Sequence, residues 1–277
     1  MLKIKTNNFD LDSTMLCGQA FRYYVLDDNS YDIILKDRVI NVKKENEYLI
    51  VDSNNYDNLE EIIVNYFDLN TDYEKICNYL IEKDNLLKDS IEFSKGLNML
   101  RQDPFEMVVS YIISANNSVR NITNSLNDIA FKYGKKVIFN NKEYYLFPRN
   151  EDLKNVTKEE FRLCKTGFRD KYLVDLIYKL NNNLLDLDII FNMNTDEALE
   201  YLMNLKGIGT KVASCILMFA YYKFDVFPID TWVKKIVKEL YNIEGQENIK
   251  NFAKEKYGMY CGIALQYMFN YSRNKTN

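Results

Sequence analysis

The residue best suited to covalent chemistry in this chain is Lys211, within Leu205-Lys-Gly-Ile-Gly-Thr-Lys-Val-Ala213. A helical pattern runs into this segment from Thr195 and another leaves it at Thr210. Lys211 therefore stands in the first turn of a helix, whose N-terminus is already positive. A cation is disfavoured there, so the amine is expected to lose its proton more readily and become nucleophilic. Gly207 and Gly209 flank one apolar residue. Glycine permits positive φ and close backbone approach, and the amides that follow, from Thr210 on, can hold a phosphate. Nineteen residues beyond Lys211, Asp230 lies in Phe227-Pro-Ile-Asp-Thr-Trp232, just ahead of another helical pattern. It suits an N-cap, and a capping carboxylate can also face a developing cation. Plainer readings exist for each: a tight turn between packed helices, a solvated lysine, a cap with no further purpose.

Composition narrows the chemistry. There is no histidine, which excludes Ser-His-Asp and Cys-His mechanisms and any His-ligated metal. The five cysteines, Cys17, Cys77, Cys164, Cys215 and Cys261, are scattered and form no C-x-x-C. That spacing argues against a disulfide framework and against an iron–sulfur cluster. The net charge is −4, but residues 1–100 hold 11 basic and 19 acidic side chains, whereas residues 101–277 hold 25 and 21. Phosphate contacts are thus expected in the second part. No apolar run approaches the ~18 residues of a membrane span. The N-terminus, Met1-Leu-Lys-Ile-Lys, lacks an apolar signal core. The expected location is cytoplasmic.

These residues need elements to position them. From Phe21 to Asp52, short β-branched and aromatic runs separated by turns, such as Asp27-Asp-Asn-Ser30, predict an antiparallel meander. From about Asn58 the apolar spacing becomes helical, as in Leu59-Ile62-Ile63-Tyr66 and Phe105-Val108-Val109-Ile112-Ile113. Asp103-Pro104 is a helix start. Further helices are expected over roughly 119–132, 158–164, 169–182, 196–203, 210–222, 231–240, 247–256 and 260–271, with a loop or short hairpin over 137–148.

Together, G-I-G-T-K and F-P-I-D-T-W resemble the helix–hairpin–helix glycosylase superfamily. Within it the chain resembles the 8-oxoguanine DNA glycosylase/AP lyase family. Cys17-Gly-Gln-Ala-Phe-Arg, Leu100-Arg-Gln-Asp-Pro, Ile113-Ser-Ala-Asn-Asn and Gly167-Phe-Arg-Asp-Lys-Tyr extend the likeness over most of the chain. The resemblance implies that Lys211 attacks the deoxyribose C1′ of a flipped nucleotide, that a Schiff base forms, and that β-elimination nicks the strand. It implies that Asp230 stabilises cationic sugar character. It makes Gly18 the residue whose carbonyl accepts N7–H of 8-oxoguanine. Cys215, one helical turn from Lys211, becomes one wall of the base pocket and Phe269 the opposite wall, with Pro228 counted in the pocket. Asn116 would fill the gap and contact the orphaned cytosine, Arg169 would face the estranged base, Phe168 would act as the wedge, and Gly207, Gly209 and Thr210 would hold the backbone. The chain also departs from the family. Asn121, beside Arg120, stands where an arginine is common, which relaxes selection for cytosine opposite the lesion. Leu265 stands where a glutamine reads the base edge, with Gln266 adjacent. Trp232 replaces a phosphate-contacting histidine and retains one N–H donor.

The expected fold is α+β: an N-terminal antiparallel sheet domain with its following helices (1–97), packed on a mostly helical domain (98–277). The second domain carries the hairpin, at about 196–222, and C-terminal helices that close the pocket. The expected partner is double-stranded DNA with an oxidised purine, bound by a monomer. No cofactor is required and no metal is held by side chains, although a structural cation on the hairpin's backbone carbonyls is compatible with the pattern. Two rivals remain: a monofunctional alkylbase glycosylase relying on Asp230 alone, and a non-catalytic helix–hairpin–helix DNA-binding protein.

Overall fold

The computed structural model describes residues 1–275. The chain opens with β1 (Leu2–Lys5) and α1 (Leu11–Leu16), then β2 (Tyr23–Val25), β3 (Tyr31–Ile34), β4 (Val39–Glu45) and β5 (Tyr48–Ser53). The sheet runs β1-β5-β4-β3-β2, every pair antiparallel. In β4 and β5, Ile40 and Val42 face Ser53 and Val51, so alternate side chains enter one core. The turn at Asn29 takes a positive φ of 60°, and Asp28 accepts the Ser30 amide at 3.2 Å. This is the expected meander. Sequence pattern alone does not reveal β1 and α1, which span only 4 and 6 residues. They are held by pairing with β5 and by the Asp10 cap on the Ser13 amide.

The helices follow: α2 (Leu59–Tyr66), α3 (Tyr73–Lys83), α4 (Lys88–Phe93), α5 (Pro104–Ser114) and α6 (Val119–Tyr133). The hairpin β6 (Lys136–Phe139) and β7 (Lys142–Tyr145) occupies the inserted stretch and packs Phe139 and Tyr144 against Ile34 and Val39 of the sheet. Then come α7 (Lys158–Leu163), α8 (Asp170–Asn181), α9 (Thr195–Met203), α10 (Thr210–Ala220), α11 (Thr231–Tyr241), α12 (Gln246–Tyr257) and α13 (Cys261–Lys275). Asp103 caps α5 on the Glu106 amide at 3.0 Å, with Pro104 at the first helical position. The helix expected to reach 222 stops at Ala220, because Tyr222 adopts a left-handed φ of 58°.

Two main apolar clusters result. One lies under the sheet and takes in Leu11, Met15, Ile63 and Phe67. The larger one joins α5, α8, α9, α10 and α13, and it also receives Tyr73, Ile76 and Leu80 from α3 and Ile91 from α4. These two helices precede residue 97 in the chain yet pack with the C-terminal helices. Asp84 fastens that contact, accepting the Tyr241 and Tyr257 hydroxyls, each at 2.6 Å. The sheet side and the helical side are sewn together at Gln19. Its amide donates to the Thr14 and Asn98 carbonyls at 2.9 Å each, and its oxygen accepts the Leu100 amide at 2.8 Å. Gln102 returns a bond to the Gln19 carbonyl at 2.8 Å. Among the described residues, no helix is long and apolar enough to cross a membrane.

Candidate active site

α10 is the axis of the site. It is buried from Val212 to Ala220, so only its first turn reaches the surface. No side chain caps that turn, because the N-cap is Gly209. The first amides of α10 are therefore available to an external anion. The two hairpin glycines serve different ends. Gly207 has φ +87°, and an added Cβ would sit 2.5 Å from the Tyr172 ring, so this glycine is needed for packing on α8. At Gly209 an added Cβ would meet nothing within 4 Å, so this glycine leaves the helix end open. Lys206 turns away and pairs with Asp175 at 2.6 Å.

Lys211 is half-buried, and its ammonium lies 5.9 Å from the centroid of the Tyr111 ring. One turn on, burial pushes the Cys215 thiol up to about 11, opposed by the Lys211 charge and reinforced by that of Asp230. Cys215 is thus a protonated, apolar surface beside Lys211. Lys211 and Asp230 both act on it. Asp230 caps α11 by accepting the Val233 amide on Oδ1 at 2.8 Å. Pro228, two residues earlier, is buried.

The far wall comes from α13, which lies close to α10 because Gly262 meets Met218. A Cβ there would stand 2.7 Å from the sulfur. Phe269 projects from α13 toward Gly18, which has φ +89°. A Cβ on Gly18 would be 3.7 Å from Phe269 Cε1 and 2.9 Å from Arg273 Nη1. Gln19, next in the chain, holds the Gly18 turn in place through the bonds described above. The Trp232 ring stands edge-on to Phe269 at 6.3 Å between centroids and is partly exposed. Leu265 and Gln266 have different surroundings. Gln266 is buried and its amide donates to the Cys17 carbonyl at 3.0 Å, bracing the turn before Gly18. Leu265, four residues before Phe269, shares that residue's side of α13.

A second group lies at the rim. Asn116 is exposed with φ +51°, just past the end of α5. Phe168 is 52% exposed. Arg169 is placed differently from the expectation of a side chain facing a base. It is 6% exposed, stacks 4.5 Å from the Phe168 centroid, and donates to the Asn116 carbonyl at 2.9 Å and the Thr166 carbonyl at 3.2 Å. It also donates to the Ala115 carbonyl from Nε at 2.9 Å and from Nη2. Arg169 thereby ties Phe168 to the Asn116 turn. Arg120 and Asn121 are both exposed on α6. Thr210 is exposed at the open end of α10.

Two residues at the site carried no sequence signal of their own. Tyr111 sits inside an apolar helical run that reads as core. Arg273 stands one turn after Phe269, a spacing that becomes informative only once Phe269 is placed. Among the described residues, no three His, Cys, Asp or Glu side chains cluster to hold a metal.

Residues 1–108 match the family model for the 8-oxoguanine DNA glycosylase N-terminal domain. The chain is 36% identical to the Clostridium acetobutylicum 8-oxoguanine glycosylase/lyase, solved with double-stranded DNA containing cytosine opposite 8-oxoG. That match covers 100% of this chain and 99% of that one, with a TM-score of 0.93. The structure of MBOgg1 with a low-affinity DNA ligand gives a TM-score of 0.95 at 36% identity, over 99% of this chain and 96% of that one. A probable N-glycosylase/DNA lyase of Methanothermobacter thermautotrophicus is 29% identical, over 98% of this chain and 96% of its own length.

Proposed function

Since the chain belongs to the 8-oxoguanine DNA glycosylase/AP lyase family, and is accordingly an N-glycosylase and DNA lyase, we propose that it excises 8-oxoguanine from duplex DNA with Lys211 as nucleophile and Asp230 as electrostatic partner. The observation that carries this reading is the arrangement about Cys215: one turn of α10 brings Lys211 to one side of the thiol, and the α11 cap brings Asp230 near it. A nucleotide flipped out of the stack, its base between Cys215 and Phe269, would present its sugar to both.

The chemistry follows from those groups. The neutral Lys211 amine donates its lone pair to C1′, and the C1′–N9 bond breaks with its electrons leaving on the base, which then takes up a proton. The Asp230 carboxylate offsets the positive charge that builds on the sugar. Opening of the sugar ring leaves an iminium between Nζ and C1′. Loss of a C2′ proton then expels the 3′ phosphate, and water releases the lysine. On the binding side, the open first turn of α10 takes a phosphate, Asn116 fills the gap left by the flipped nucleotide and contacts the unpaired base, and Phe168 wedges into the stack beside it.

Borohydride reduction in the presence of an 8-oxoguanine duplex tests the mechanism. The wild-type protein should form a covalent adduct that Lys211→Gln abolishes, with strand nicking reduced at least about 1000-fold. An adduct that persists in Lys211→Gln overturns the assignment.

A further inference from the structure

Tyr111 forms the floor beneath Lys211. Its ring is parallel to Phe219, at 6.0 Å and 2°, and edge-on to Phe21 at 5.9 Å. These contacts fix the ring and account for its apolar part. They leave the hydroxyl unexplained, for a buried phenol ordinarily finds a hydrogen-bond partner. Tyr111 is 5% exposed, and its hydroxyl bonds to no other described residue. It is not sealed in either. Among the described residues, the sealed side-chain oxygens with no hydrogen-bond partner are the Tyr133 hydroxyl and Asp175 Oδ2. The Tyr111 hydroxyl therefore opens onto accessible space.

Its neighbours identify that space. The Cys215 and Cys17 thiols both act on the phenol and, together with burial, hold its pKa well above the usual range. Cys215 is a wall of the base pocket, and Cys17 immediately precedes Gly18. The hydroxyl is thus a protonated donor at neutral pH, between those two positions. The two residues expected to read the base edge supply no free donor. The Gln266 amide is held by the Cys17 carbonyl, and Leu265 has nothing to donate. 8-Oxoguanine carries carbonyl oxygens, O6 and O8, on either side of N7–H. If the Gly18 carbonyl takes that hydrogen, a donor beside it meets one of these oxygens.

We propose that the Tyr111 hydroxyl is a further specificity-determining group, donating a hydrogen bond to O6 or O8 of the flipped purine. This rests on the 8-oxoguanine reading above. Tyr111→Phe keeps the ring under Lys211 and removes only the donor. Two substrates separate its roles: a duplex containing 8-oxoguanine, followed by base release in a single turnover, and a duplex with a preformed abasic site, which places no base in the pocket. In the variant, base release should fall about 10-fold relative to abasic-site cleavage, the loss expected for one hydrogen bond. An unchanged ratio overturns the proposal, whether both rates hold or both fall together. A wild-type protein that cleaves abasic sites but does not release 8-oxoguanine overturns the substrate reading itself, and this proposal with it.

Discussion

The proposed base pocket and the rim around it are built on opposite plans. The pocket is assembled from four distant segments: the Gly18 turn, α5, the first turn of α10 with the α11 cap, and α13. Cys215 is buried and Phe269 half-buried, and the pocket's shape depends on contacts such as Gly262 on Met218 and Gln19 on the Leu100 amide. The rim groups Asn116, Phe168, Gly209 and Thr210 stand at helix ends or short turns, and Asn116, Phe168 and Thr210 are open to solvent. The contrast teaches where discrimination and where holding should reside. A buried pocket desolvates every polar group it contains, so one misplaced atom is costly there. A solvated rim uses charge and backbone amides that tolerate change.

Three substitutions test that contrast. Asp230→Asn should have the largest effect. Asparagine caps a helix as well as aspartate does, so the melting temperature should barely change, while base release falls about 100-fold or more from loss of the negative charge. Turnover close to wild type would remove Asp230 from the chemistry. Gly18→Ala comes next. Alanine is strained at φ +89°, and its Cβ would press on Arg273. Release of 8-oxoguanine should drop about 10-fold, with a stability loss of about 1 kcal/mol. An alanine variant that releases the lesion at the wild-type rate would show that Gly18 lies outside the pocket. Arg169→Ala should have the smallest effect on turnover, under about 3-fold at saturating DNA. Chemical denaturation should nonetheless show a loss of about 2 kcal/mol, because the carbonyls of Ala115, Asn116 and Thr166 all lose a charged donor. A large turnover defect with unchanged stability would instead make Arg169 a direct DNA contact and blur the division between rim and frame.

Much of this was legible beforehand where the signal is local. The meander from Tyr23 to Ser53 follows from short β-branched and aromatic runs separated by turn residues, and the start of α5 from Asp103-Pro104. The Asp230 cap follows from a short polar residue ahead of an amphipathic run. Short elements escaped, because β1 and α1 are too brief to show a period and are stabilised by what they pack against. Arg169 was legible as an important residue but not in its surroundings. A charged side chain beside an aromatic suggests a surface, whereas two backbone carbonyls past the end of α5 and one from its own turn satisfy it in the interior.

The chain's own pattern determined the chemistry available: no histidine, one lysine at the open end of a glycine-flanked helix, and an aspartate nineteen residues later. Those are facts of residue type and near spacing, and near spacing on a helix is geometry. Tertiary structure alone decided what surrounds the reacting groups. It separated the packing glycine, Gly207, from the open one, Gly209. It turned Gln266 onto the Cys17 carbonyl and left Leu265 on the side of Phe269. It slid Tyr111, one apolar-run residue among many, beneath Lys211. Each of these outcomes depends on which segments meet, and that is settled by burying apolar surface from the whole chain at once, a constraint that no local window of sequence contains.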